Sequence, residues 1–390
     1  VTVEVVSLGC RLNLAESERI RAILAGNDDL VVINSCAVTA EAVRQTRQAI
    51  RRARKARPDA RLLVTGCAAE VEREQIAAMP EVDGLIGNGV KLDPRAWNAP
   101  TEGEIPAPTH TRAFVQVQNG CDHACTFCVI PQGRGQSRSN PVATVIADVA
   151  RHMEGGAKEV VLTGVDLTSW GTDLTDRKSL GALVSAILVT FPELQRLRLS
   201  SVDGVEMDDE LLELVAWEPR VMPHLHLSLQ SGDDLILKRM KRRHSRQDAF
   251  ALVEKLRANR PEIAIGADII AGFPTEDDAA HARNLSIIRE LAIVHGHIFP
   301  YSSRPGTPAA RMPQVAPATI KTRAAELRSA VAEERARWLN SLLGQPLNVL
   351  AERDGTGHAP NFARVELPAG YLPGSIIAIT PTRIIEGLLA

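Results

Sequence analysis

Long apolar runs are absent. Nowhere in the 390 residues do apolar side chains approach the ~18 in succession that a bilayer-crossing helix needs, which excludes a membrane-spanning helical protein. The first nine residues, Val1-Thr-Val-Glu-Val-Val-Ser-Leu-Gly9, alternate as a strand does and carry neither a basic flank nor a small-residue cleavage site. No secretory signal is read there, and a cytosolic location is expected. Aromatic residues make up only 3% of the chain, which excludes a platform that stacks many single-stranded bases; an RNA partner would be met through shape and phosphates. Net charge is also small, at −2, so the protein is not basic as a whole. Cysteine is scarce, with six residues and none after Cys128, too few for a disulfide framework in so long a chain and in a compartment that keeps thiols reduced. Metal ligation or simple burial is what remains for them.

A chain of this length folds as more than one unit. Its first ninety residues alternate strand patterns (Thr2–Ser7, Leu30–Asn34, Leu62–Thr65, Gly84–Ile86) with helices from about Asn13, Ala40 and Glu70, the signature of a parallel sheet. The stretch from Asn98 to Thr109 carries three prolines and no periodicity, and reads as a linker. A second series follows, with strands at Phe114–Gln118, Glu159–Thr163, Arg196–Leu199, His224–Leu229, Ile263–Ile270 and Val294–Phe299, and helices from near Pro141, Ser179, Asp209, Arg246 and Asp277. Six strand–helix units exceed half a sheet and fall short of a closed eightfold barrel, so a partial (β/α)6 barrel is expected, with a doubly wound sheet as the alternative. Pro317–Leu343 reads as a long polar helix, and the tail from Gln345 as a small β-barrel. The expected division of this α/β multidomain chain is 1–97, a linker over 98–111, the barrel over 112–315, a connecting helix over 316–342 and a β-domain over 343–390.

Charge is unevenly placed. Between Arg44 and Arg61 eight basic residues face one acid, Asp59, and Arg44, Arg47 and Arg51 recur at helical spacing. A second basic run includes Lys238 and Arg242. These five residues are the candidate phosphate contacts, set against the ordinary reading of a solvated helix face.

The strongest chemical signal is Cys121-Asp-His-Ala-Cys-Thr-Phe-Cys128, three thiols directly after a barrel strand, where such folds place their active face. One reading is a Cys3His zinc site completed by His123. The spacing instead suits a [4Fe-4S] cluster held by three thiolates, which leaves one iron without a protein ligand. A second constellation is spread out: Cys10, Cys36 and Cys67 each end one of the first three strands, 26 and 31 residues apart. In a parallel sheet, successive strand ends lie side by side on the edge that binds ligands. Three buried core cysteines are the bland alternative; equivalent placement on all three strands favours a second three-thiolate cluster.

The Cys-x3-Cys-x2-Cys run with Phe127 before its last thiol resembles the radical S-adenosylmethionine superfamily. That resemblance implies that the cofactor's amino and carboxylate groups take the open iron and that the backbone near Phe127 meets the adenine. It further implies that Gly164 and Asp166 approach the methionine amino group, and that Ser200, Ser201 and Gln230 contact ribose and methionine. With the first thiol triplet included, the whole chain resembles the methylthiotransferases. The motifs that carry this are Ser7-Leu-Gly-Cys-Arg-Leu-Asn13, Asn34-Ser-Cys-Ala-Val-Thr39, Thr65-Gly-Cys-Ala68, Arg134-Gly135, His226-Leu-Ser-Leu-Gln-Ser-Gly232 and Gly272-Phe-Pro274.

Within that family, Arg11-Leu12-Asn13 after the first cysteine, Asp122, and Leu199-Ser-Ser-Val202 look most like the branch acting on threonylcarbamoyladenosine beside the tRNA anticodon. The alternatives are the isopentenyladenosine branch and the branch acting on a ribosomal-protein aspartate. The resemblance implies two [4Fe-4S] clusters and S-adenosylmethionine as cofactors, all six cysteines as cluster ligands, and tRNA, an external electron donor and a sulfur donor as partners. The C-terminal segment resembles an RNA-holding TRAM domain, although from Leu343 it has three arginines against four acids. A zinc-bearing RNA-binding protein without catalytic activity is the competing class.

Overall fold

The computed structural model describes residues 3–27, 29–99 and 111–390. Most of the expected linker, 100–110, and Thr2, the first residue of the expected opening strand, lie outside the described residues. The first sheet consists of β1 (Glu4–Ser7), β2 (Leu30–Ser35), β3 (Arg61–Gly66) and β4 (Gly84–Leu85), all parallel and in that order. Strand β2 is buried along its whole length because helices cover both faces, so its sequence Leu-Val-Val-Ile is continuously apolar rather than alternating. The helix expected from Glu70 begins at Cys67 and splits into Cys67–Val71 and Arg73–Ala77. Its cap is not local: Ser35 Oγ, at the end of β2, accepts from the backbone N–H of Ala68 (3.1 Å) and Ala69 (3.2 Å).

The second unit has six parallel strands: β5 (Ala113–Gln116), β6 (Glu159–Thr163), β7 (Arg196–Leu199), β8 (His224–Gln230), β9 (Ala264–Ala271) and β10 (Ile293–Pro300). They pair as β5-β6-β7 and β8-β9-β10, joined by a bridge from Leu197 to Val221, as an open six-stranded partial barrel requires. The doubly wound alternative is therefore set aside. Strand β5 stops before Gln118, which pairs antiparallel through Gln118–Asn119 with Arg138–Ser139 instead. A helix not anticipated from the sequence, Asp234–Met240, follows β8, capped by the Asp233 side chain. The long helix Pro317–Ser341 leads to a six-stranded C-terminal sheet whose core includes Val349, Ala351, Val365 and Leu389. No helix of the described residues is long and apolar enough to cross a membrane.

Candidate active site

Parallel pairing of β1, β2 and β3 sets Ser7 beside Asn34 and Asn34 beside Thr65, so the residues following each strand emerge along one edge. Those residues are Cys10, Cys36 and Cys67. Cys10 is exposed and the other two are buried. Burial pushes the Cys36 thiol up to about 11, and charge on Cys67 and Cys10 adds to that rise. The three sulfurs thus share one electrostatic neighbourhood. Gly9 makes the approach possible: its φ of +96° is one L side chains rarely adopt, and a Cβ there would lie 2.7 Å from Cys36 Cβ and 2.8 Å from its Sγ.

The second triplet sits in the loop after β5. Gln118 shapes that loop: its Nε2 donates to the Gly120 carbonyl at 2.8 Å, and its Oε1 accepts from the backbone of Val165 (3.0 Å) and Asp166 (2.9 Å). The end of β6 is thereby tied to the cysteine loop. Burial raises Cys121 to about 12, with Asp166, Cys128 and Cys125 contributing, and raises Cys128 to about 11. Thiols held so high stay protonated unless a cation is beside them, and iron is such a cation. Charge on Cys67 also raises Cys128, and Gly133, just past the second triplet, packs so closely that its Cβ would be 3.2 Å from Cys67 Cβ. Cys67 of the first triplet thus lies across the seam from the loop that carries the second.

The spacing of the donors tests what they could hold. Among the described residues, the groups whose ligand atoms all lie within 4.8 Å are Cys121/His123/Asp166, His226/Asp268/His297 and His123/Asp203/Glu206; neither thiol triplet is among them. A single tetrahedral zinc, with Zn–S of about 2.3 Å, would draw its thiolates within about 4 Å of one another. A polynuclear cluster places each thiolate on a different iron and so accepts a wider spread. His123 is also engaged elsewhere: its Nε2 lies 2.8 Å from Asp166, 3.5 Å from Glu206 and 2.7 Å from Arg243, and the two carboxylates push the ring up to about 10. The Cys3His zinc alternative would have to draw the ring away from these partners.

The model of the Radical SAM superfamily matches residues 115–285, and that of the uncharacterized protein family UPF0004 matches residues 2–87. The chain is 45% identical to the threonylcarbamoyladenosine tRNA methylthiotransferase MtaB of Rickettsia prowazekii, over 99% of this chain and 96% of that one. The chain belongs to the radical S-adenosylmethionine methylthiotransferase family. The MtaB of Thermotoga maritima is 33% identical over 90% of this methylthiotransferase and 86% of its own length. A tRNA-2-methylthio-N(6)-dimethylallyladenosine synthase of Cereibacter sphaeroides is 33% identical over 89% and 86%. Among solved structures, the radical S-adenosylmethionine methyltransferase TsrM from Kitasatospora setae superposes with a TM-score of 0.53 at 14% identity, over 76% of this chain and 68% of that one. The cobalamin-dependent radical enzyme OxsB gives 0.52 at 11% identity, over 93% and 63%. At such identities these likenesses establish the fold alone. Family membership makes the protein an enzyme that transfers a sulfur-containing group with S-adenosylmethionine and [4Fe-4S] clusters, and the non-catalytic zinc-protein alternative falls.

The other expected site residues of the methylthiotransferase divide into those that converge and those that do not. Asp166 Oδ2 lies 3.7 Å from Cys121 Sγ and accepts from Ser169 Oγ at 2.7 Å. Gly164 presses on the Gln118 side chain, Ser200 is buried with its Oγ unpartnered, and Ser201 is half-buried after β7. Gln230 ends β8 with φ +66°, a left-handed conformation where the strand's register shifts. Phe127 packs edge-on against Phe273 at 6.3 Å.

The basic surfaces are corrected in part. Arg242 is not a surface phosphate contact: only 8% of its side chain is exposed, and it is committed to Asp203 (2.7 Å) and the Ser228 carbonyl (2.8 Å), 3.9 Å from Cys125 Sγ. Arg44 is bound to Glu41 at 2.5 Å and Arg47 to Glu72 at 2.6 Å, while Arg51 approaches Glu81 at 3.8 Å. Carboxylates of the same domain thus neutralise much of the stripe. Lys238 is exposed.

Sequence reasoning passed over a buried ionic knot at the seam. Arg134 Nη1 meets Glu16 Oε1 at 2.8 Å and Asn119 Oδ1 at 2.8 Å, its Nη2 donates to Asn13, and Lys91 Nζ closes on the other Glu16 oxygen at 2.6 Å. Two arginines, Arg11 and Arg198, were also not recognised as parts of the barrel's interior; the only signal was a basic residue directly after a ligand-type cysteine.

Proposed function

We propose that this methylthiotransferase converts N6-threonylcarbamoyladenosine next to the tRNA anticodon to its 2-methylthio derivative. The observation that carries the reading is the packing of Cys67 against the loop that follows Cys128, in a chain 45% identical over nearly its whole length to a protein named for that substrate. Cys121, Cys125 and Cys128 would hold one [4Fe-4S] cluster and Cys10, Cys36 and Cys67 the other. The first, with S-adenosylmethionine, would supply the radical chemistry that an unactivated C2 hydrogen of adenine requires, and the second would supply the sulfur.

The chain's own residues do the rest. Gln118 fixes the cysteine loop against the end of β6, which holds Asp166 toward the cofactor side. Arg242 lends positive charge beside Cys125, which favours electron acceptance by a group bound there. The Arg134–Glu16–Lys91 knot fixes the distance between the two triplets. Residues 1–97 thus act as the sulfur-carrying domain, 112–315 as the radical-forming barrel and 343–390 as an accessory β-domain, with tRNA phosphates met by Lys238 and by whatever part of the Arg44–Arg51 stripe its carboxylates leave accessible. A reductant and a sulfur donor complete the set in the cytosol.

The test is product analysis. The reconstituted enzyme is incubated with tRNA that carries the threonylcarbamoyl group but lacks the methylthio group, and the digest is examined by mass spectrometry. A nucleoside heavier by a methylthio group in place of hydrogen supports the reading. Product only on isopentenyladenosine tRNA, or only on ribosomes, overturns it.

A further inference from the structure

Arg11 follows Cys10 directly, yet its side chain leaves the first sheet and enters the barrel. Its guanidinium carbon lies 5.2 Å from the centre of the Phe362 ring, which the C-terminal sheet inserts from below. Two further guanidiniums share that ring, Arg198 at 4.8 Å and Arg112 at 5.4 Å. Three like charges therefore crowd one aromatic side chain inside the protein.

The acids nearby are already engaged. Glu159 is held by Arg198 at 2.9 Å and Arg196 at 3.6 Å. Glu352 is held by Arg112 at 2.9 Å. Asp268 Oδ1 is taken by His226 at 3.0 Å and His297 at 3.1 Å. The Arg11 side chain makes no hydrogen bond or ion pair among the described residues, although Glu159 and Asp268 attract it from farther off. Behind it, the Nη1 of Arg198, a residue only 1% exposed, and the Nη1 of Arg112 are both buried and unpartnered.

Stacking on Phe362 does not balance this. A cation–π contact contributes about 0.5–2 kcal/mol, whereas withdrawing a charge from water costs several. What the arrangement needs is an anion. The place is reachable, because the His297 side chain is 63% exposed and that of Asp268 20%, and Arg11 itself is only half-buried beside the exposed Cys10.

This inference rests on the substrate proposed above. The threonylcarbamoyl substituent carries a carboxylate at its far end, which an isopentenyl substituent lacks. We infer that Arg11 is the specificity-determining residue, its guanidinium taking the substrate's threonyl carboxylate in a charge-assisted, bidentate pair while the free Nη1 of Arg198 strengthens the positive field behind it. A guanidinium so placed also disfavours neutral substituents, since they would cover it without pairing it.

The experiment compares anticodon stem-loops bearing the threonylcarbamoyl group as free acid and as carboxamide, binding each to the cluster-loaded enzyme by fluorescence anisotropy. The wild type is expected to prefer the acid by at least about tenfold. In Arg11→Gln that ratio falls toward one, and Arg11→Lys recovers part of it. A purely structural contact with Phe362 would lower stability without changing the ratio. An unchanged ratio in Arg11→Gln overturns the inference. Should that variant fail to fold or to take up iron, the wild type and Arg11→Lys decide together: equal binding of acid and amide by the wild type, or an unchanged ratio in Arg11→Lys, overturns the inference, and a preference for the acid that Arg11→Lys retains only in part upholds it. Failure of the wild type to modify threonylcarbamoyl tRNA at all would instead sink the proposed function.

Discussion

Arg134 Nη1 and Glu16 Oε1 meet at 2.8 Å with at most 1% of either side chain exposed, joining the first sheet to the barrel. Lys91 takes the opposite carboxylate oxygen. One acid thus neutralises two buried cations at the boundary between the thiol triplets. Removing it in Glu16→Ala leaves Arg134 and Lys91 facing each other unpaired, and the expected loss is about 3–5 kcal/mol, read from urea unfolding of the reconstituted protein. A loss below about 1 kcal/mol would show that the seam is held by other contacts.

The two triplets separate by substitution. Cys67→Ala is expected to lower iron from about eight to about four atoms per chain while S-adenosylmethionine is still cleaved to 5′-deoxyadenosine, with no methylthio product. In Cys128→Ala the iron falls equally, but cleavage stops. Iron assay and chromatography of the nucleosides give both readings, and identical behaviour of the two variants would contradict separate roles.

Gly9→Ala tests the approach of the first triplet. The new Cβ would have to displace Cys36, and the backbone at φ +96° disfavours any side chain. A cost of about 1–3 kcal/mol is expected, together with loss of iron from the first triplet alone. Retention of full iron would mean that β1 shifts freely relative to β2.

Acid weakens the floor of the barrel. Burial alone would raise the Glu159 carboxyl, but the guanidiniums of Arg198, Arg112 and Arg196 overcome it and hold the group at about 2, below its ordinary 4.5. A carboxyl depressed in the folded state stabilises fully above its unfolded value, and that stabilisation is lost as pH falls from about 4.5 toward 2. The loss amounts to about 3 kcal/mol. Urea midpoints of the wild type and of Glu159→Gln should converge as pH drops from 5 to 2. A constant gap would place the loss on other groups.

The sequence by itself determined the parallel sheet, the six barrel strands and the position of each cysteine after a strand or in the loop of the first barrel strand. These follow from periodicity, from which residue ends each strand, and from the adjacency of consecutive parallel strands, all of which are short-range properties. Tertiary structure alone decided where the charges go. Arg134 pairs with a glutamate 118 positions away, Arg242 turns inward to Cys125 across 117, and Arg11 reaches a phenylalanine of the C-terminal sheet. A guanidinium on a long, flexible stem has no periodic signature. Its partner is set by which two units pack together and by the need to neutralise a charge once water has been excluded.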